Sequence, residues 1–92
     1  MKPLIQYIME GSKTVKNTKL RKMLDKAGYP DIELVKGDGY FYVYSNDFGS
    51  EHEKWLRNVD TDIFVNSFNQ QSVEQWFDDI MSIINKGKIE NN

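Results

Sequence analysis

The segment Tyr40-Phe41-Tyr42-Val43-Tyr44 constrains this chain most. Every residue in it is aromatic or β-branched, and it follows Gly37-Asp38-Gly39, a short hairpin connection in which glycine tolerates positive φ. Side chains alternate along an extended strand. Tyr40, Tyr42 and Tyr44 therefore share one face, and Phe41 and Val43 share the other. Buried phenol hydroxyls need partners, so burying three of them is harder than burying Phe and Val. Phe41 and Val43 are expected inside and the tyrosine stripe at least partly on the surface. Asp31 to Lys36 also alternates, with Ile32 and Leu34 opposite Glu33, and predicts the partner strand.

Around this hairpin the chain reads as helices and one more strand. Pro3 to Glu10 carries Leu4, Ile5, Ile8 and Met9 at helical spacing. Asn17 or Thr18 can cap a second helix whose apolar stripe is Leu20, Met23, Leu24 and Ala27. Gly28 and Pro30 end it. Ser50 and Glu53 fit a capping box opening a short helical turn through Trp55 and Leu56. Asp60 to Val65 predicts a third strand, with Ile63 and Val65 on one face and Asp62 and Phe64 on the other. Asn66 to Gln71 is a polar turn holding Phe68. Ser72 with Gln75 opens a last helix whose stripe is Val73, Trp76, Phe77, Ile80, Met81 and Ile84. Gly87 is expected to close it, leaving residues 88–92 as a frayed tail. The economical packing is an α+β domain: a three-stranded, mostly antiparallel sheet with two long helices on one face, as a two-layer sandwich.

Composition bounds what such a domain can do. With 92 residues the chain fits one domain, 1–92, burying roughly 60–65% of its unfolded surface. The 13% aromatic content lets few residues fill a core, without metal or disulfide. The absence of cysteine removes disulfides, thiolate zinc sites and cysteine nucleophiles together. No apolar run reaches the roughly 18 residues of a membrane span, and no small-residue cleavage site follows Leu4–Met9, so a cytoplasmic protein is expected.

Net charge is −2, but its distribution is uneven. Lys13, Lys16, Lys19, Arg21, Lys22 and Lys26 crowd one stretch against Asp25 alone. Glu51 to Asp79 is mostly acidic. The bland account is two solvated faces that attract weakly. The functional account is a basic helix over 13–26 that meets nucleic acid through Lys16, Lys19, Lys22 and Lys26.

An aromatic sheet face can also stack bases. Gly39-Tyr40-Phe41-Tyr42-Val43 resembles part of the RNA-recognition-motif signature. It departs from that signature at Asp38, Phe41 and Ser45, and the βαββαβ order is missing. Lys36 stands among Glu33, Asp38 and Asp47, a poor setting for phosphates. Tyrosine is favoured at protein hot spots, which makes the stripe a better protein contact.

Chemistry finds little purchase. His52 is the lone histidine, and Glu51 and Glu53 beside it do not converge with it on one ion. Asp60 and Asp62 could hold a hard cation only with further oxygen ligands. No phosphate-loop or dinucleotide-binding pattern occurs. No cofactor, metal or catalytic residue is expected.

From Lys19 to Ile84 the chain resembles small accessory proteins carried by phages and mobile elements. The carrying residues are Leu20 to Gly28, Gly39 to Tyr44, and Ile63 to Asn69 leading into Ser72 to Trp76. Such families bring no assigned chemistry to particular positions. The resemblance implies a small, acidic accessory protein of the bacterial cytoplasm, of a kind that blocks a host enzyme or defence complex by occupying its surface. The expectation is therefore a non-enzymatic protein-binding module whose contact is Tyr40, Tyr42 and Tyr44 with Asp60 and Asp62. Leu4, Ile5, Ile8 and Met9 would suit a homodimer contact.

Overall fold

Ile32–Lys36 and Phe41–Ser45 form the antiparallel hairpin that the alternation predicts, with Leu34 opposite Val43 and Val35 opposite Tyr42. In the computed structural model, which describes residues 13–90, the element order is β1 (Lys13–Thr14), α1 (Thr18–Lys26), β2 (Ile32–Lys36), β3 (Phe41–Ser45), α2 (Glu51–Arg57), β4 (Asp62–Ile63), a 3-10 turn (Phe68–Gln70) and α3 (Val73–Glu90). The three expected strands make an antiparallel sheet, and β1 extends it at the β2 edge. The helical reading of Pro3–Glu10 and the dimer contact through Leu4, Ile5, Ile8 and Met9 lie outside the described residues.

Local chemistry explains most boundaries. Asn17 Oδ1 accepts from the Leu20 N–H at 2.9 Å and starts α1. Its other end is a Schellman closure: Tyr29 N–H reaches Leu24 O at 2.8 Å, Gly28 N–H reaches Asp25 O at 3.1 Å, and Gly28 takes φ +95°. Ser50 Oγ accepts from Glu53 N–H, and Glu53 Oε1 in turn accepts from Gly49 N–H at 3.0 Å, one residue earlier than a standard capping box. Ser72 Oγ accepts from Gln75 N–H at 3.1 Å, but the Gln75 amide turns forward to Asp79.

Several expectations are corrected. The helices are unequal: α1 has nine residues, α2 seven and α3 eighteen, so one helix is long. The basic stretch is not one helix, because Lys13 belongs to β1 and Lys16 to the connection after it. The strand expected over Asp60–Val65 shrinks to Asp62–Ile63. Asp60 Oδ1 accepts from Asp62 N–H at 3.0 Å, bending the chain into an Asx-type turn, and Val65 N–H folds back to Ile63 O. Gly87 does not close α3, which runs on to Glu90, so residues 88–90 of the expected tail are helical. Gly87 is buried where α3 meets α2: a Cβ there would lie 2.4 Å from the Trp55 carbonyl oxygen. Its lack of a side chain serves close approach rather than termination.

The core gathers Leu20 and Leu24 of α1, Ile32 and Leu34 of β2, Phe41 and Val43 of β3, Leu56 of α2, and Trp76, Ile80 and Ile84 of α3. Trp76 is fully buried. It meets Phe41 edge-on at 4.7 Å, stacks on Phe68 at 5.4 Å, and donates its indole N–H to the Phe68 carbonyl at 2.7 Å. Phe68 of the expected polar turn is thus the lid of the tryptophan. Arg21 turns inward from α1: its guanidinium donates to the carbonyls of Ile32 at 2.8 Å and Tyr29 at 2.9 Å, fastening α1 to the entry of β2.

Candidate partner-binding site

The register decides which faces the aromatic strand presents. Phe41 and Val43 share a face with Ile32 and Leu34 and lie in the core. Tyr40, Tyr42 and Tyr44 lie on the opposite face and are half-buried. Their rings form a row: Tyr42 to Tyr44 at 6.5 Å, Tyr40 to Tyr42 at 6.1 Å, and Phe64 to Tyr40 at 6.4 Å. Phe64, directly after β4, is 78% exposed and ends the row. The tyrosine ring at the turn lies across Gly37, where a Cβ would come within 2.7 Å of it. The sequence reading placed Phe64 with Asp62 but did not foresee that it would extend the tyrosine row.

The row is anchored from below and edged by acids. Val35 is buried on this face, between Thr14 and Tyr42 in the ladder. The Tyr44 hydroxyl donates to Glu33 Oε2 at 2.7 Å, and Asn46 Nδ2 donates to the same oxygen at 3.2 Å. Burial, followed by the Glu33 hydrogen bond and charge, pushes the Tyr44 phenol up to about 12. Asp62 sits opposite Tyr42 in the ladder and is exposed. Asp60 is exposed nearby, with one oxygen engaged by the Asp62 N–H. That bond satisfies a donor of a strand, a device that discourages edge pairing. The structure therefore brings together Tyr40, Tyr42, Tyr44 and Asp62, and gives Asp60 a structural task beside them.

No known protein family, curated protein or solved structure matches this chain. Its site must therefore be read from geometry. Beside β3 runs a shallow groove of about 250 Å³ lined by Tyr42, Tyr44, Phe48, Glu53, Arg57 and Thr61. Phe48 above it is 79% exposed. Arg57 in this groove is held by Glu53, with one contact at 2.6 Å. Lys36, opposite Phe41 in the ladder, reaches over the Phe41 ring at 5.2 Å and donates to the Asn66 carbonyl at 3.1 Å.

The lysines of the second reading are placed differently. Lys19, Lys22 and Lys26 fall on one side of α1 by their spacing. All three are exposed, and Lys19 pairs with Glu74 in the first turn of α3. The opposed charge halves thus touch through this exposed pair, as weakly attracting solvated faces do. Lys16 lines a cavity of about 420 Å³ with Arg21, Lys22 and Glu33, between the connection after β1, α1 and β2.

One cluster escaped sequence reasoning. His52 Nδ1 lies 2.9 and 3.1 Å from the two oxygens of Asp31, and Ser45 Oγ donates to the same carboxylate at 2.6 Å. Tyr29 and Trp55 flank the imidazole with ring centroids at 4.9 and 5.0 Å. Burial pushes the Asp31 carboxyl up, but hydrogen bonds from Ser45, His52 and its own backbone outweigh this and hold it below the usual carboxylate range. The carboxylate stands between the hydroxyl and the imidazole, whereas a serine nucleophile needs the imidazole next to its hydroxyl. Ser45 is only 2% exposed. The arrangement ties the start of α2 to the start of β2 and the end of β3. Among the described residues no three His, Cys, Asp or Glu side chains are grouped as metal ligands, and no helix is long and apolar enough to cross a membrane.

Proposed function

We propose that this protein is a non-enzymatic binding module that docks a partner protein on the row Phe64, Tyr40, Tyr42 and Tyr44, with Asp62 beside it. In the phage-type setting its sequence resembles, the partner is a bacterial host protein whose surface it occupies. The observation that carries this is the continuous row of four rings on the face turned away from the core. Rigid aromatic area binds at low entropic cost, and tyrosine is enriched where binding energy concentrates. The strands that present it are fixed by the core behind them, so little ordering is needed on association. The test is capture from bacterial lysate by wild type, Tyr42→Ala and Lys86→Ala, each checked for fold by circular dichroism. A partner recovered with wild type and Lys86→Ala and lost with Tyr42→Ala supports the surface. Equal recovery by Tyr42→Ala removes it.

A second reading rests on Lys22 and Lys26, exposed one turn apart on α1. These could contact nucleic-acid phosphates, and such binding would weaken steeply with salt. Absence of a mobility shift at low salt with single- and double-stranded probes ends that reading.

A further inference from the structure

We infer that the segment docked on this face is basic and carries arginine in particular, an inference that rests on the docking reading above. Carboxylates stand on and around the row. Asp62 is exposed opposite Tyr42, Glu33 stands opposite Tyr44, and Asp38 is exposed in the turn beside Tyr40. Of the neighbouring described cations, Lys36 is engaged by the Asn66 carbonyl and the Phe41 ring on the other face and Arg57 by Glu53, while Lys16 lines the cavity between α1 and β2 with Glu33. A face of aromatic rings edged by carboxylates matches a guanidinium group. That group lies flat on a ring while its fork of N–H donors engages a carboxylate, and an ammonium does only part of this.

The same charges argue against two other occupants. A polyanion would bring phosphates towards Asp62 and Asp38, and the described cations Lys36 and Arg57 beside the strand already have partners. A second copy meeting this face with its own would set like charges together. Ring spacing suggests the probe: 6.1 and 6.5 Å along Tyr40, Tyr42 and Tyr44 is close to the roughly 6.6 Å between alternate residues of an extended chain. An extended peptide with arginine at every second position therefore offers one guanidinium per tyrosine ring.

The test uses the full chain and labelled eight-residue probes: alternating Arg-Ser, Lys-Ser and Glu-Ser peptides, and oligothymidine, followed by fluorescence anisotropy. Arg-Ser is expected to bind, Lys-Ser to bind about threefold to fivefold more weakly, and the two anionic probes not to bind. Asp62→Asn should weaken Arg-Ser binding, Tyr42→Leu should erase the preference for arginine over lysine, and Lys86→Ala should change neither. Equal affinity for Lys-Ser and Arg-Ser overturns the inference, as does indifference to Asp62→Asn or binding of oligothymidine. A dimer in sedimentation that Tyr42→Leu dissolves assigns the face to a second copy and overturns it too. So do nuclear Overhauser contacts from the Tyr42 ring to Leu4, Ile5, Ile8 or Met9, which would assign the face to the chain's own first residues. The two levels separate cleanly. Failure of Arg-Ser to bind, with a lysate partner still lost on Tyr42→Ala, overturns only the arginine requirement. A partner retained by Tyr42→Ala overturns the docking face itself.

Discussion

Gly87 shows how one residue can carry two opposite messages. A glycine near the end of an apolar stripe reads as a helix terminator, because glycine favours the left-handed closing position. Here α3 continues through it, and the missing side chain lets α2 approach until the Trp55 carbonyl occupies the space of a Cβ. Gly87→Ala tests this directly. Helix propensity alone would gain about 1 kcal/mol from the change. The new methyl meets backbone rather than the yielding tip of a side chain, so overpacking of about 1–3 kcal/mol should prevail. The expected outcome is a net loss of stability, read as a lower urea midpoint and a fall in Tm of about 4–8 °C for each kcal/mol lost. A more stable variant would mean that α2 and α3 can separate at little cost. Gly28, by contrast, performs the closing task its position suggests, because the hydrogen bonds that require positive φ are local ones.

At the scale of elements, α2 depends on a bond that no local pattern announces. His52 reaches Asp31, 21 positions earlier, and Ser45 meets the same carboxylate from the end of β3. Asp31 holds its proton less tightly in the fold than the ordinary value of 3.8. A depressed folded value means the carboxylate's contribution is present above that ordinary value and is lost as pH falls through the folded one. Asp31→Asn should therefore cost about 1–3 kcal/mol at neutral pH, by weakening hydrogen bonds to a charged group. The penalty should shrink as pH falls below 3.8, where wild type begins to lose the same advantage. Urea midpoints of both proteins between pH 3 and 7 should converge at the acid end; parallel curves would remove Asp31 from the acid response. Legibility follows the same division. The β2–β3 hairpin, its inner and outer faces, the Asn17, Ser50 and Ser72 caps and the α3 stripe were readable because each depends on neighbours within a few positions. The tyrosine row was readable for that reason as well. The shortened β4 was not, because Asp60 bends the chain with its own side chain where alternation suggested a strand. The extension of the row to Phe64 and the His52–Asp31 tie were hidden too, since each depends on distant segments meeting.

The whole molecule joins these pieces through one set of buried residues. Leu20 and Leu24, Ile32 and Leu34, Phe41 and Val43, Leu56, and the Trp76-Ile80-Ile84 ridge all belong to it, so all three described helices share the core that supports the tyrosine strand. A chain of this size with one shared core is expected to unfold in a single cooperative step. Two tryptophans can report on it from different depths: Trp76 is fully buried among sheet, α3 and the 3-10 turn, while half-buried Trp55 lies between His52 and the end of α3. Trp55→Phe leaves Trp76 as the fluorescent reporter of the centre. Its urea transition should superimpose on the far-ultraviolet circular dichroism of the same variant, and the mixed fluorescence of wild type should give coincident transitions too. An earlier fluorescence change in wild type, absent from Trp55→Phe, would mean that α2 undocks before the core opens. That outcome would bear on the binding surface, because the groove beside β3 is walled by Glu53 and Arg57 of α2. Coincident transitions would mean that the aromatic face persists until the entire fold is lost. Loss of binding in a folded Tyr42→Ala protein would then report the contact itself, since no local opening precedes global unfolding.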